Sequence, residues 1–262
     1  MMRSLYTASS GMKVNQTYVD NISNNLSNVN TAGFKKSKIE FEDLMYQTVK
    51  EPGSENGDGT KAPVGVQIGL GAKVTSSHKI FIQGSLELTG RELDVAISGE
   101  GFFQVRLPSG EIGYTRTGSF KVNAEGYLTT SNGELLEPNI VIPDGANDLT
   151  ISTNGTVAAI LVAGGETEEL GQFELARFIN PSGLRALGGN MLTQTDASGD
   201  PVVGTPGLDG YGELRNQYLE SSNVQMIEEM VQMIVAQRAY EISSKAITTS
   251  DEMLQTASGL KR

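Results

Sequence analysis

The chain has no cysteine and a single histidine, His78, in 262 residues. That pair of shortages excludes Cys-His nucleophilic chemistry and zinc sites built from several His or Cys ligands. It fits either a small bacterial-type protein with few thiols or a chain working outside the reducing cytosol without disulfides. No G-x-S-x-G elbow, H-E-x-x-H pair or Walker loop occurs. GLG at 69–71 and GEG at 99–101 lack the third glycine of a dinucleotide fingerprint and read as turns. DASGD (196–200) has the spacing of a calcium loop, but Pro201 stands where that loop needs glycine. Carboxylates cluster at Glu40, Glu42 and Asp43, at Glu228 and Glu229, and at Asp251 and Glu252. These lie on or beside the helical ends of the chain, where solvated acidic faces are the ordinary explanation. The residues therefore point to no enzyme, cofactor or metal.

Basic residues are also few, 20 against 31 acidic ones, for a formal net charge of -11. Nucleic acid and anionic membrane surfaces call for a clustered basic patch, and none is written here. Lys35, Lys36 and Lys38 form the densest basic group and read as a solvated turn after a helix. No apolar run approaches the ~20 residues that span a bilayer. The first residues, MMRSLYTASSGMKVNQ, contain no continuous apolar core of a secretory signal. Export, if any, is expected to proceed without a cleaved signal, and no membrane insertion is expected.

Three zones remain. In the first, Leu5, Ala8, Met12, Asn15, Val19, Ile22, Leu26 and Val29 alternate spacings of three and four, a heptad seam with one polar member. The spacing predicts a helix from Ser4 to Ala32, roughly 40 Å long, with Gly33 as its left-handed C-terminal cap. The last zone starts near Ser222, which has capping-box spacing to Gln225. Val224, Ile227, Val231, Ile234, Val235, Ala239, Ile242, Ala246, Met253 and Leu260 make a broad apolar face. Gly259, Lys261 and Arg262 suit a helix end. The economical arrangement packs the two terminal helices together.

The middle zone holds most of the 31 glycines, and its apolar period falls toward two. LDVAISG, GFFQVRL, IGYTRTGSFKV, GYLTT, NIVIP, LTIST, TVAAILV and QFELARFI read as short strands. PSGE (108–111), NAEG (123–126), SNGE (131–134), TNGT (153–156) and GGET (164–167) read as the turns between them. His78 is placed at a strand start. Linkers at 50–73 and 195–213 are rich in Gly, Pro and charge. The fold class is α+β: long N- and C-terminal helices as a coiled-coil-like pair, with a central, mostly antiparallel β domain. The zones divide as 1–41 with 217–262, a connecting segment 42–90, and a β domain 91–216.

The first helix is short of charge. Between Ser4 and Phe34 only Lys13 and Asp20 carry any. A helix with one face in water normally has a charged outer face. Here Ser, Thr, Asn and Gln occupy it, with Asn21, Asn24, Asn25 and Asn28 assigned to the outside and Ile22 and Leu26 to the seam. Neutral hydrogen-bonding side chains are buried at tolerable cost, unlike unpaired charges. The helix is therefore expected to be surrounded by other copies of the chain.

The ordered set SNNLSNVNTAGFK (23–35), GVQIGLG (65–71), LDVAISGEGFFQV (93–105), YTRTGSFKVNAEGYL (114–128) and LESSNVQMIEEMVQMIVAQRAYEISSKAI (219–247) resembles the rod and hook family of bacterial flagellar axial proteins. EDLMYQTVKEPG (42–53) is similar to a stretch that marks the distal-rod branch of that family, while the 54–63 loop follows no matched pattern. The resemblance implies a hollow helical homopolymer in the periplasm that transmits torque and conducts exported subunits. It implies the type III export apparatus, proximal rod and hook proteins, and the outer L and P ring bushing as partners. It also implies the residues of assembly. On the first helix these are Leu5, Met12, Asn15, Val19, Ile22, Asn24, Asn25, Leu26, Asn28, Val29, Gly33 and Phe34. On the last they are Val224, Ile227, Val231, Ile234, Arg238, Tyr240 and Ile242. The alternatives are a proximal rod or hook subunit, or a secreted adhesin-like β protein with coiled-coil ends.

Overall fold

The computed structural model describes residues 2–54, 61, 63–143, 145–160 and 167–259. The GGET turn up to residue 166, most of the 54–63 loop, and Leu260, Lys261 and Arg262 lie outside the described residues. The chain forms two units. One comprises Met1–Ser27, Ser37–His78 and Gln225–Arg262, the other Asn28–Lys36 and Lys79–Val224. The fold is α+β.

In the first unit, helix α1 (Met2–Ser27) packs on helix α2 (Met226–Gly259). Strand Ser37–Asp43 pairs with Ala72–Lys79, and Tyr46–Lys50 pairs antiparallel with Val66–Gly69 in the register Tyr46↔Gly69, Gln47↔Ile68. The sequence pattern does not announce these four strands, because hardly any of their side chains are buried and the alternation is lost. His78 lies at the far end of its strand, not its start.

The first helix stops at Ser27, five residues short of the expected Ala32. Residues 28–30 form a turn, in which Thr31 N donates to Asn28 O at 3.2 Å and the Thr31 hydroxyl lies 3.2 Å from Asn28 Oδ1. Asparagine and threonine are poor helix formers, and here their side chains pair with each other across the turn that ends the helix. Gly33 does have φ +72°, but as part of the second unit and not as a helix cap. A β-carbon there would approach Thr117 N to 2.8 Å, so glycine is required by both conformation and space. The second helix starts at Met226, not near Ser222. Ser222 Oγ accepts from Val224 N at 3.3 Å instead of capping the helix, while Glu228 and Glu229 occupy the first turn. Acids there complement the helix dipole.

The second unit is built around Phe102–Arg106, which pairs antiparallel with Ile112–Thr115, Leu135–Glu137 and Leu175–Arg177. Among the described residues, nine strands join this sheet. A three-stranded sheet (Asn147–Ile151, Thr156–Ile160, Thr167–Gln172) and two strand pairs, Val95–Ser98 with Glu213–Asn216 and Leu86–Leu88 with Tyr218–Glu220, complete it. Successive side chains point to opposite faces of a strand, so Phe102 and Phe103 seed two cores. Phe103 meets Phe120 edge-on at 5.1 Å and Phe173 at 5.8 Å, with Val95, Ile97, Leu175 and Leu214 around them. Phe102 shares the other with Tyr114, Ala176, Phe178 and Leu192. The predicted turns close as expected, with Gly110 N, Gly126 N, Gly133 N and Gly155 N each donating to the carbonyl three residues before. NIVIP is not a strand; only Val141 bridges, to Tyr127.

Candidate assembly surfaces

The two helices of the first unit run antiparallel. Ser4 Oγ lies 3.3 Å from Ser250 Oγ, Tyr18 Oη donates to Gln232 Oε1 at 3.0 Å, and Asn25 Nδ2 donates to Glu229 Oε2 at 3.2 Å. On α1 the seam buries Ile22 and half-buries Leu5, Met12, Asn15, Val19 and Leu26. Asn15 spends its amide on its own helix, donating to Gly11 O at 2.9 Å. On α2 the fully buried residues are small or polar, Glu229, Ala236 and Ser250, while Gln232, Met233, Ser243, Ile247 and Leu254 are half-buried.

Asn25 was expected on the outer face, and it is fully buried. Its Oδ1 accepts from Ser37 N and its Nδ2 donates to Ser37 O, both at 2.9 Å. Asn21 Nδ2 donates to the same carbonyl at 2.9 Å. Two of the four asparagines assigned to the outside thus face the chain's own returning strand. Asn24 is exposed, and Asn28 and Val29 are half-buried. Gly33 and Phe34, buried, belong to the second unit, as does buried Val224.

The broad apolar face of α2 points away from the seam. Ile227 is 79% exposed, Ile234 58% and Ile242 67%, with Val231 and Val235 exposed beside them. Helical spacing of three and four joins them into one stripe. The stripe also carries Arg238, whose NH1 donates to Glu241 Oε2 at 3.1 Å. Tyr240 borders a hollow of about 330 Å³ with Gln16, Val19 and Gln237. A second groove of about 470 Å³ is lined by Tyr6, Val14, Leu44 and Val74 among others. Further along, the hairpin exposes Met45, Tyr46, Val49, Val66 and Ile68. An isolated two-stranded hairpin is marginal in water.

Ile22 is the seam's large apolar anchor, 1% exposed within one chain. Replacing it by alanine is expected to cost the helix pair about 2–5 kcal/mol. Thermal melts followed by helical circular dichroism on dilute chain will show this loss before any assembly, with the second unit's own transition unmoved.

In the second unit, Lys35 is 2% exposed, which corrects the solvated-turn reading. Its Nζ donates to Glu220 Oε1 at 2.6 Å and to Ile82 O at 2.8 Å. Gly84 N donates to the same Glu220 oxygen at 2.9 Å. Arg116 Nε lies 3.3 Å from Glu220 Oε2 as an ion pair without hydrogen-bond alignment, and its other nitrogens donate to Gly101 O and Gly99 O at 2.8 Å. Burial lowers the Lys35 pKa below its ordinary value and the nearby Arg116 adds to this, while Glu220 opposes it. The cluster closes the short segment 28–36 onto the strand Tyr218–Glu220. Lys36 N and Asn223 Oδ1, 2.7 Å apart, reinforce the same closure.

An antiparallel helix pair with an exposed apolar stripe and a β-rich unit make up the chain, the build of a structural protein. Three family models match the chain. They are the flagella basal body rod protein model over residues 5–35, the flagellar hook protein FlgE/F/G D1 domain over 96–159, and the flagellar basal body rod FlgEFG protein C-terminal model over 215–260. Over its whole length the chain is 51% identical to the flagellar basal-body rod protein FlgG of Borreliella burgdorferi, and the alignment spans all of that protein too. The protein of the same name from Caulobacter vibrioides is 46% identical over 99% of this chain and 100% of its own, and that of Bacillus subtilis 41% over the whole of both. The chain belongs to the FlgG family of flagellar basal-body rod proteins, which are structural proteins of the flagellum. Among the described residues no helix is long and apolar enough to cross a membrane.

Proposed function

We propose that this chain is the distal rod subunit, polymerising with itself into a hollow helical drive shaft. Terminal segments 1–41 and 217–262 form the inner tube, 91–216 the outer body, and 42–90 the connection between them. The shaft joins the proximal rod below and the hook above, turns inside the L and P ring bushing, and conducts subunits delivered by the type III export apparatus. The exposed hairpin at 46–50 and 66–69 packs against neighbouring copies and stiffens the shaft. Of the assembly residues named above, those left exposed on the two helices make the contacts between copies, with Ile227, Val231, Ile234 and Ile242 as the principal apolar ones.

One observation carries this reading: α2 half-buries Met233, Ile247 and Leu254 but exposes most of its large apolar residues, Ile227, Val231, Ile234, Val235 and Ile242 among them. Apolar burial yields about 25 cal/mol per Å², so a lone chain forgoes the larger part of what this helix offers. Copies packed around it recover that part. Ile22 is the one large apolar side chain of the seam that is fully buried among the described residues, so the helix pair holds in a lone chain while its far ends gain order upon assembly. The purified chain should form straight hollow filaments in electron micrographs, with a gain in helical circular dichroism over dilute protein. Unchanged helix content in a small closed oligomer would favour the adhesin-like alternative.

A further inference from the structure

The small residues of the helix seam do not by themselves fix its register. Ser4 and Gly11 on α1, and Ala236, Ser243 and Ser250 on α2, are small and spaced by sevens. Gly11 faces Ser243, and Ser4 faces Ser250. Sliding α2 by one heptad, about 10 Å, would set Ser4 opposite Ser243 and Gly11 opposite Ala236. Small residues would again meet small residues, so these positions do not tell the two registers apart.

We propose that Asn25, through Ser37 and Glu229, is the register lock of this helix pair and hence a positioning residue for assembly. Both ends of its amide are committed. Oδ1 holds Ser37 N and Nδ2 holds Ser37 O, each at 2.9 Å, and Nδ2 reaches Glu229 Oε2 at 3.2 Å. Asn25 and Glu229 are both fully buried. The strand fixes the amide, and the amide fixes where the carboxylate of α2 can lie. A heptad slip would carry Glu229 away from Asn25 toward the level of Tyr18, leaving a buried carboxylate without the donor it has now. A single buried asparagine is the best-attested device for fixing register in paired helices. Its consequence for assembly rests on the rod reading: every copy must present the Ile227–Ile242 stripe at one height relative to the outer face of α1, or neighbours cannot repeat.

Because the chain has no cysteine, a pair of introduced thiols reports the register in the monomer. Ser4→Cys with Ser250→Cys cross-links in the native register, and Ser4→Cys with Ser243→Cys only after a heptad slip. In the native background the first product should dominate. Adding Asn25→Leu with Glu229→Leu, which removes both polar partners and keeps apolar bulk, should raise the slipped product at least about tenfold while helix content holds. Asn15→Leu, in the same seam but bonded only to its own helix, should not. A double variant that keeps native helix content and the native cross-link alone would overturn the proposal. Where the double variant loses helix, Asn25→Ala decides in the same way. Loss of helix in both overturns it too, since the asparagine then maintains the fold and not the register. The readout needs no polymer, so a chain that never forms filaments would sink the rod reading and leave this one standing.

Discussion

Glu220→Gln is expected to destabilise the β unit by about 3–5 kcal/mol, the cost of removing one partner from a buried ion cluster. For a unit of this size that corresponds to roughly a 10 °C drop in the melting temperature. The variant keeps its shape and its hydrogen-bonding oxygen, so Lys35 Nζ and Gly84 N retain an acceptor. What disappears is the negative charge between two cations, one 2.6 Å and the other 3.3 Å away. Arg116 cannot give up its proton at ordinary pH. Lys35 can, and its pKa is already lowered by burial and by Arg116. The sign of the pH dependence follows. A lysine whose folded pKa lies below its unfolded one binds fewer protons when folded. Stability therefore rises with pH through the window from the folded pKa up to the unfolded value. Losing Glu220 removes the negative charge that held the lysine's proton, so the window widens downward in the variant. Chemical denaturation of Glu220→Gln across the alkaline range should show a steeper recovery than the parent chain. A flat profile, or a loss under about 1 kcal/mol, would mean that the cluster is wetter than its burial indicates.

This cluster marks where reading the sequence stopped short. Lys35 looks like any lysine in a turn, because the residue that buries it lies 185 positions away. Asn25 was placed on the wrong face for the same reason: its partners are Ser37, twelve residues on, and Glu229, 204 residues on. Periodicity reports only which residues share a face, never what stands opposite. Where the period was clean the sequence was legible. Ile22 is buried in the seam, the stripe from Ile227 to Ile242 is one continuous face, and the strands through Val95, Phe103 and Val157 are where alternation put them. Both helix ends differ from the pattern by a few residues, because Asn28 and Thr31 close a local turn and Ser222 accepts from Val224 N. Strands at 37–50 and 66–79 escaped because their apolar residues, Tyr46, Val49 and Ile68 among them, remain exposed within one chain. The family, by contrast, was legible through long motifs in order, which no single element could supply.

The largest effect is expected from Ile234→Asp. Ile234 is 58% exposed in the single chain. Aspartate there meets water in the monomer, so helix content and melting should change by no more than the few tenths of a kcal/mol typical of surface substitutions. On the assembly proposed above, copies of the chain enclose the same position. Assembly then loses about 1.5–3 kcal/mol of apolar burial and must desolvate a carboxylate for which no cation was provided. Each 1.4 kcal/mol is tenfold in an equilibrium constant, so the concentration needed for polymerisation should rise at least about a hundredfold. The neighbouring Arg238 softens this little, since it already pairs with Glu241 on its own helix. Sedimentation of polymer at graded protein concentrations gives the threshold directly, and motility of cells carrying the variant gives the same answer in place. Ile22→Ala provides the contrast: it weakens the monomer's helices first and assembly as a consequence. If Ile234→Asp polymerised at the parent's threshold, the stripe would be facing solvent in the shaft as it does in the monomer, and the copies would have to meet along α1 and the hairpin instead.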